Sequence, residues 1–177
     1  MTRQQLEHLI RAAATIADDD ELIVVGSQSI LGAHPAAPAE LLVSVEADLY
    51  PRNYPDRADL IDGTIGELSP FHETYGYYAQ GVGPETAVLP VDWESRLVTI
   101  QNENTRGAKG LCLEPNDLVL AKYVAGREKD LLFARVAAKT GLVQRGVLEQ
   151  RLATMAVTEA KRELVAQRIA RDHAGSA

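Results

Sequence analysis

Only one cysteine, Cys112, occurs in the 177-residue chain, so no internal disulfide can form. That excludes a disulfide-stapled scaffold and sets the expectation of a cytoplasmic protein. Flanked by Leu111 and Leu113, the thiol reads as a core residue rather than a nucleophile. No run of about 18 apolar residues is present, so no membrane-spanning helix is encoded. The opening Met1-Thr2-Arg3-Gln4-Gln5 lacks the apolar centre of a signal peptide. His8, His34, His72 and His173 stand singly, without the spacing of a zinc site. Internal repeats and low-complexity segments are also missing. Overall positive charge is lacking: the formal net charge is -7, which argues against a chain coated for nucleic acid. The charge is unevenly divided, however. Residues 1–120 carry 7 Lys+Arg and 19 Asp+Glu (-12), whereas residues 121–177 carry 11 and 6 (+5). Such a contrast fits either a polyanion-facing surface or a set of solvated helix faces.

What is present is an ordinary globular balance, 46% apolar and 24% charged, long enough for one well-cored domain. Leu6, Leu9, Ile10, Ala13, Ile16 and Ala17 form a helical stripe begun by a Thr2/Gln5 capping box. Leu22 to Val25 is a β-branched strand, and Ser27 is placed to cap a short helix ending before Pro35-Ala36-Ala37-Pro38. Leu41 to Val45 reads as a second strand, and 56–68 as a helix with Leu60, Ile61 and Ile65 on one stripe. Tyr75–Ala79 and Thr86–Leu89 suggest a hairpin around Gly81-Val82-Gly83-Pro84. A strand over Arg96–Gln101 follows a turn at Trp93, and Asn102–Gly110 is a polar loop. From Pro115 the pattern is helical, with segments at 118–125, 129–139, 146–155 and 159–170. The expected fold class is α/β (α+β): a mixed sheet with flanking helices over 1–113, then a helical region over 114–177 packed on it as one unit.

The chemistry-bearing pattern is Glu46-Ala47-Asp48, delivered by the second strand. Alternation puts Glu46 and Asp48 on one face with Ser44, where two carboxylates repel unless a cation lies between them. A hard divalent ion, usually Mg²⁺ bridging to phosphates, is the natural occupant. A solvent-facing strand edge is the other reading. Upstream, Gly26-Ser27 closes a strand-to-helix turn, where glycine lets backbone approach a ligand and a helix start favours phosphate. Downstream, Lys122 sits beside the stripe Leu118, Ala121, Ala125, either snorkelling or reaching for an anion. Gly126 breaks that helix, and Arg127-Glu128-Lys129-Asp130 begins the next.

Gly-Ser followed by an acid-x-Asp strand resembles the polymerase-β-type nucleotidyltransferases. Asp117-Leu118-x-x-x-Lys122-x-x-x-Gly126-Arg127-x-Lys129-Asp130 resembles a narrower branch, the DUF6036 proteins related to AbiEii-like toxins of type IV toxin–antitoxin systems. The resemblance spans about residues 20–140. It implies a nucleotidyltransferase-like mixed sheet, with Gly26 and Ser27 at the nucleotide's phosphates and Glu46 and Asp48 binding Mg²⁺, or Mn²⁺ in its place. It implies Lys122, Arg127 and Lys129 as nucleotide-binding groups, and Asp48, Lys122 and Asp130 as catalytic ones. The implied reaction is NMP transfer from an NTP to an acceptor hydroxyl, with RNA such as tRNA as acceptor, a cognate antitoxin as partner and no membrane. No third carboxylate stands on a following strand, which leaves Asp92 or Asp130 as candidates. A catalytically silent nucleotide- or protein-binding module of the same fold, and a metal-dependent phosphohydrolase, are the alternatives. Arg135, Lys139, Arg145, Arg151, Lys161, Arg162, Arg168 and Arg171 would track an RNA backbone or serve as ordinary surface charge.

Overall fold

A computed structural model describes residues 1–174; positions 175–177, the end of the 114–177 region, lie outside the described residues. Helix α1 spans Arg3–Ala17, begins at the Thr2/Gln5 capping box and ends at Asp18 in the left-handed conformation. Its buried face, Leu6, Leu9, Ile10, Ala13 and Ala17, is the stripe read from the sequence. Strand β1 (Glu21–Val24) follows, then a 3-10 turn over Ser27–Ser29 and the short helix α2 (Ile30–Ala33). Gly26, not Ser27, occupies the cap position, without a side-chain cap hydrogen bond.

The second strand starts later than its composition suggests. Leu41 closes a 3-10 turn begun after Pro38, whose φ is fixed, and β2 runs over Glu46–Pro51. The carboxylates therefore open the strand instead of ending it. Leu41 is buried, whereas Val43 and Val45 point outward, 79% and 46% exposed.

Helices α3 (Ala58–Ile65) and α4 (Pro70–Tyr75) lead to β3 (Tyr78–Gly81). Ile61 and Ile65 are buried as expected, but Leu60 is exposed. The expected hairpin does not form. Ser69 accepts from the His72 amide and Pro70 opens a helical turn, so the tyrosine-rich segment enters α4 first. β3 then lies parallel to β2, and the expected strand Thr86–Leu89 is absent: Thr86 ends a 3-10 turn over Pro84–Thr86, and 87–89 form no strand. β4 (Val98–Ile100) and β5 (Lys109–Cys112) complete a five-stranded mixed sheet in the order β3-β2-β1-β5-β4. β5, whose first two residues fall within the expected loop Asn102–Gly110, is an interior strand parallel to β1.

The helical half comprises α5 (Pro115–Ala125), α6 (Glu128–Lys139), α7 (Arg145–Leu152) and α8 (Glu159–Asp172). One hydrophobic cluster joins it to the sheet, from Leu6 and Ile23 through Leu118 and Tyr123 to Val165 and Ile169. Asp117, buried at the start of α5, holds Arg96 (2.8 Å) and Arg151 (2.9 Å), tying the segment before β4 and α7 to α5. Cys112 is fully buried, and burial pushes its thiol up to about 12. No helix among the described residues is long and apolar enough to cross a membrane.

Candidate active site

β1 and β2 are antiparallel, and their last ladder bond runs from the Val25 amide to the Asp48 carbonyl (3.0 Å). This places Gly26 flush against Asp48. A β-carbon at position 26 would lie 1.8 Å from Asp48 Oδ2, so only glycine leaves room for the carboxylate there. Glu46, two residues earlier, shares the face. Its Oε2 accepts a 3.0 Å hydrogen bond from the Tyr78 hydroxyl, because Glu46 and Tyr78 are direct partners in the β2–β3 register. Tyr78 is a site residue that sequence reasoning missed. The signal lies in strand pairing between distant segments, which local patterning does not contain.

Opposite the carboxylates stands a cationic wall built at the α5–α6 junction. Gly126 takes the left-handed φ of 71° that ends α5, and the chain turns directly into α6. Lys122 and Arg127 are thereby brought onto Asp130, whose carboxylate is only 1% exposed. Lys122 Nζ lies 3.0 Å from Oδ1, and Arg127 Nε lies 2.5 Å from Oδ2. The Lys122 ammonium also sits 5.1 Å from the centre of the Phe133 ring. The Arg127 side chain remains 64% exposed, a cation presented to solvent by a buried anchor.

The electrostatics follow the geometry. Burial, and then the neighbouring Glu46 carboxylate, push the Asp48 carboxyl up to about 7, against the opposing pull of Lys122 and Lys129. Burial alone would raise Asp130 as well, but Arg127 and Lys122 outweigh it and hold that carboxyl below its ordinary value. Arg127 is held above its usual range, first by the hydrogen bond to Asp130 and then by the field of Asp130, Asp48 and Glu46. Tyr78 is raised to about 12 by burial and by the Glu46 acceptor.

Two cavities, about 160 and 230 Å³, meet at Asp48, Lys122, Arg127, Asp130 and Thr86. The smaller also touches Gly26; the larger also touches Ser27, Glu46 and Lys129. Thus Gly26, Ser27, Glu46, Asp48, Lys122, Arg127, Lys129 and Asp130 converge on one cleft. Asp92 does not: it caps a 3-10 turn and lines neither cavity.

Among the described residues no group of three or more His, Cys, Asp or Glu side chains gathers to hold a metal. The fit for Mg²⁺ rests on the Glu46–Asp48 pair. Two hard oxygen donors share one face, where burial and then the Glu46 carboxylate disfavour a bare charge on Asp48, and they suit an ion that completes its shell with water and phosphate oxygens. Asp130 has both oxygens engaged by cations and adds no open donor.

The basic residues of the helical half are largely committed within the chain. Arg135, Arg145, Arg151, Arg162 and Arg171 pair with carboxylates, while Lys161 and Arg168 donate to the carbonyls of Val124 and Tyr123.

Comparison with curated proteins and with solved structures gave no match. A family described as "Nucleotidyltransferase of unknown function (DUF6036)" matches residues 4–175. The match covers nearly the whole chain, both the sheet and the helical half, and the chain belongs to this family.

Proposed function

We propose that the protein is a Mg²⁺-dependent nucleotidyltransferase that moves NMP from an NTP to an acceptor hydroxyl. The observation that carries this reading is the facing of Glu46 and Asp48 by Lys122, Arg127 and Lys129 across one cavity. Such a cleft has an anionic side suited to a metal and a cationic side suited to a triphosphate. Glu46 and Asp48 would hold the ion, which when bound neutralises phosphate charge and orients the reacting oxygens.

The chain's own groups account for the rest. Gly26, lacking a β-carbon, keeps the backbone turn close to the carboxylates, with Ser27 beside it on the phosphate side. Lys122 and Arg127 supply positive charge to the phosphates from positions fixed by Asp130, and Lys129 adds a third cation. Asp48 takes the proton of the acceptor hydroxyl as its oxygen bonds to the α-phosphorus. The bond from that phosphorus to the bridging oxygen breaks, and pyrophosphate leaves.

The resemblance to the toxin branch supplies the acceptor and the role: RNA such as tRNA, in a type IV toxin with a cognate antitoxin. The test is incubation of the protein with total RNA and each α-labelled NTP in Mg²⁺. The expected result is label on a tRNA-sized band, abolished in Asp48→Ala. Absence of label on RNA and on protein with all four NTPs contradicts transfer and favours the silent binding module. Phosphate release without label transfer identifies a phosphohydrolase.

A further inference from the structure

The larger cavity does not end at the charged residues. Beyond the carboxylates and cations its wall becomes apolar, formed by Val43, Leu132 and Phe133, with Glu40 and Ser44 as polar neighbours. Val43 is 79% and Leu132 60% exposed, and what sets them apart from other exposed aliphatics is that both line the end of the charged cavity. Val43 is not loosely held. The backbone next to it is pinned by the fully buried Gln28, whose Nε2 donates to the Ser44 carbonyl (3.3 Å). The Ser44 hydroxyl bonds the Glu46 amide (3.1 Å) and carbonyl (3.2 Å). The turn that follows Gly26-Ser27 thus fixes the segment that presents Val43.

We infer that Val43 and Leu132 form the seat of the donor nucleobase, and that Glu40 selects bases carrying an amino group. This rests on the phosphate reading of the same cavity, since continuity with the Lys122–Arg127–Lys129 wall puts the base at its apolar end. The smaller cavity is a poorer seat. Away from the shared centre it is lined by Gly26 and by aliphatic residues such as Val25, Val88, Leu118 and Val124, which offer the base's polar edge no side-chain partner. In the larger one the Ser44 hydroxyl is already engaged by Glu46, so the exposed Glu40 carboxylate is the acceptor at that end. Adenine, cytosine and guanine donate an exocyclic amino group to such an acceptor. Uracil offers a single N–H between two carbonyl oxygens, which face the carboxylate with like charge. Because the Glu40 carboxylate is exposed, water can replace the lost hydrogen bond, and the discrimination it gives against uracil is modest.

The experiment is calorimetric titration of the full chain in Mg²⁺ with ATP, CTP, GTP, UTP and inorganic triphosphate. Because Val43 and Leu132 are exposed, the uncharged polar replacements Val43→Asn and Leu132→Asn leave the fold intact and add no charge beside the phosphate wall. They are expected to weaken the four NTPs by about tenfold or more while triphosphate stays within about twofold of wild type. Wild type is expected to bind UTP weakest, and Glu40→Gln to bring UTP within about twofold of the others. Normal triphosphate binding with NTP affinities unmoved by the rim substitutions overturns the base seat alone. NTP binding weakened by Ala121→Leu but not by Val43→Asn does the same and moves the base to the smaller cavity. Failure of wild type to bind triphosphate or NTP overturns the phosphate reading and the base seat with it.

Discussion

Asp48 Oδ2 stands 1.8 Å from the place a β-carbon on Gly26 would occupy, so the glycine of the first turn and the second strand's carboxylate are one structural unit. Gly26→Ala must displace a short side chain that has little freedom to retreat. The expected cost is about 1–3 kcal/mol of stability, as for other overpacked sites. Loss of Mn²⁺ binding should accompany it. An unchanged melting temperature with intact Mn²⁺ binding would show that the two residues are not coupled.

Asp48 also sets a pH dependence in the metal-free protein. Its folded pKa of about 7 lies above the ordinary 3.8, so folding favours the protonated form. That contribution is full below about pH 3.8 and is lost as pH rises through about 7. In EDTA, Asp48→Asn should therefore gain on wild type in melting temperature across this window, with little difference at its acid end. Mg²⁺ should restore wild type at the alkaline end and leave Asp48→Asn unmoved. A wild-type–variant difference that stays flat from about pH 4 to about pH 8 contradicts a carboxyl raised by burial and by Glu46.

Asp130 anchors two cations at once, and its removal leaves Lys122, only 10% exposed at its side chain, without its carboxylate. Asp130→Ala should cost about 3–5 kcal/mol in denaturant unfolding if the whole pair is buried; the exposed Arg127 places the effect at the lower end. Inorganic triphosphate should bind less tightly to Asp130→Ala than to wild type, since both cations lose their aim. Full-strength binding of triphosphate would show that Lys122 and Arg127 hold their places unaided.

Tyr78 acts through Glu46. Tyr78→Phe keeps the ring that β3 buries and removes the hydroxyl donor, so the expected stability change is about 1 kcal/mol. Mn²⁺ affinity, read by electron paramagnetic resonance, should fall about tenfold or more, as for other groups that orient a metal ligand. A stability change without an affinity change would reduce Tyr78 to a packing residue.

The parts of this site legible in the sequence are those whose geometry is local. The i,i+2 carboxylates, the Gly-Ser turn, the break at Gly126 and the first-turn Asp130 depend on strand alternation, turn chemistry and helix ends within a few residues. Helix α1 and the four C-terminal helices were likewise legible from period and caps. What the sequence hid is non-local or short. β5 is four residues opening Lys109-Gly110, and it is a strand because β1 and β4 flank it. Gly110 fits there because Ile10 of α1 would lie 2.3 Å from a β-carbon. The valines at 43 and 45 imitate a strand's alternation, yet they face outward beside the cleft. Tyr75 and Tyr77 read as strand, but Ser69-Pro70 starts a helix ahead of them. Tyr75, with Phe71, Tyr77 and His8, forms an aromatic cluster away from the carboxylates.

If Glu46 and Asp48 hold a divalent ion through which the chain binds an NTP, removing the ion or one of its ligands removes that affinity. Calorimetric titration of wild type and Asp48→Ala with an NTP, in Mg²⁺ and again in EDTA, tests it most directly. Wild type should bind tightly in Mg²⁺, with loss of that affinity both in EDTA and in Asp48→Ala. NTP binding of equal strength in all four conditions would contradict it.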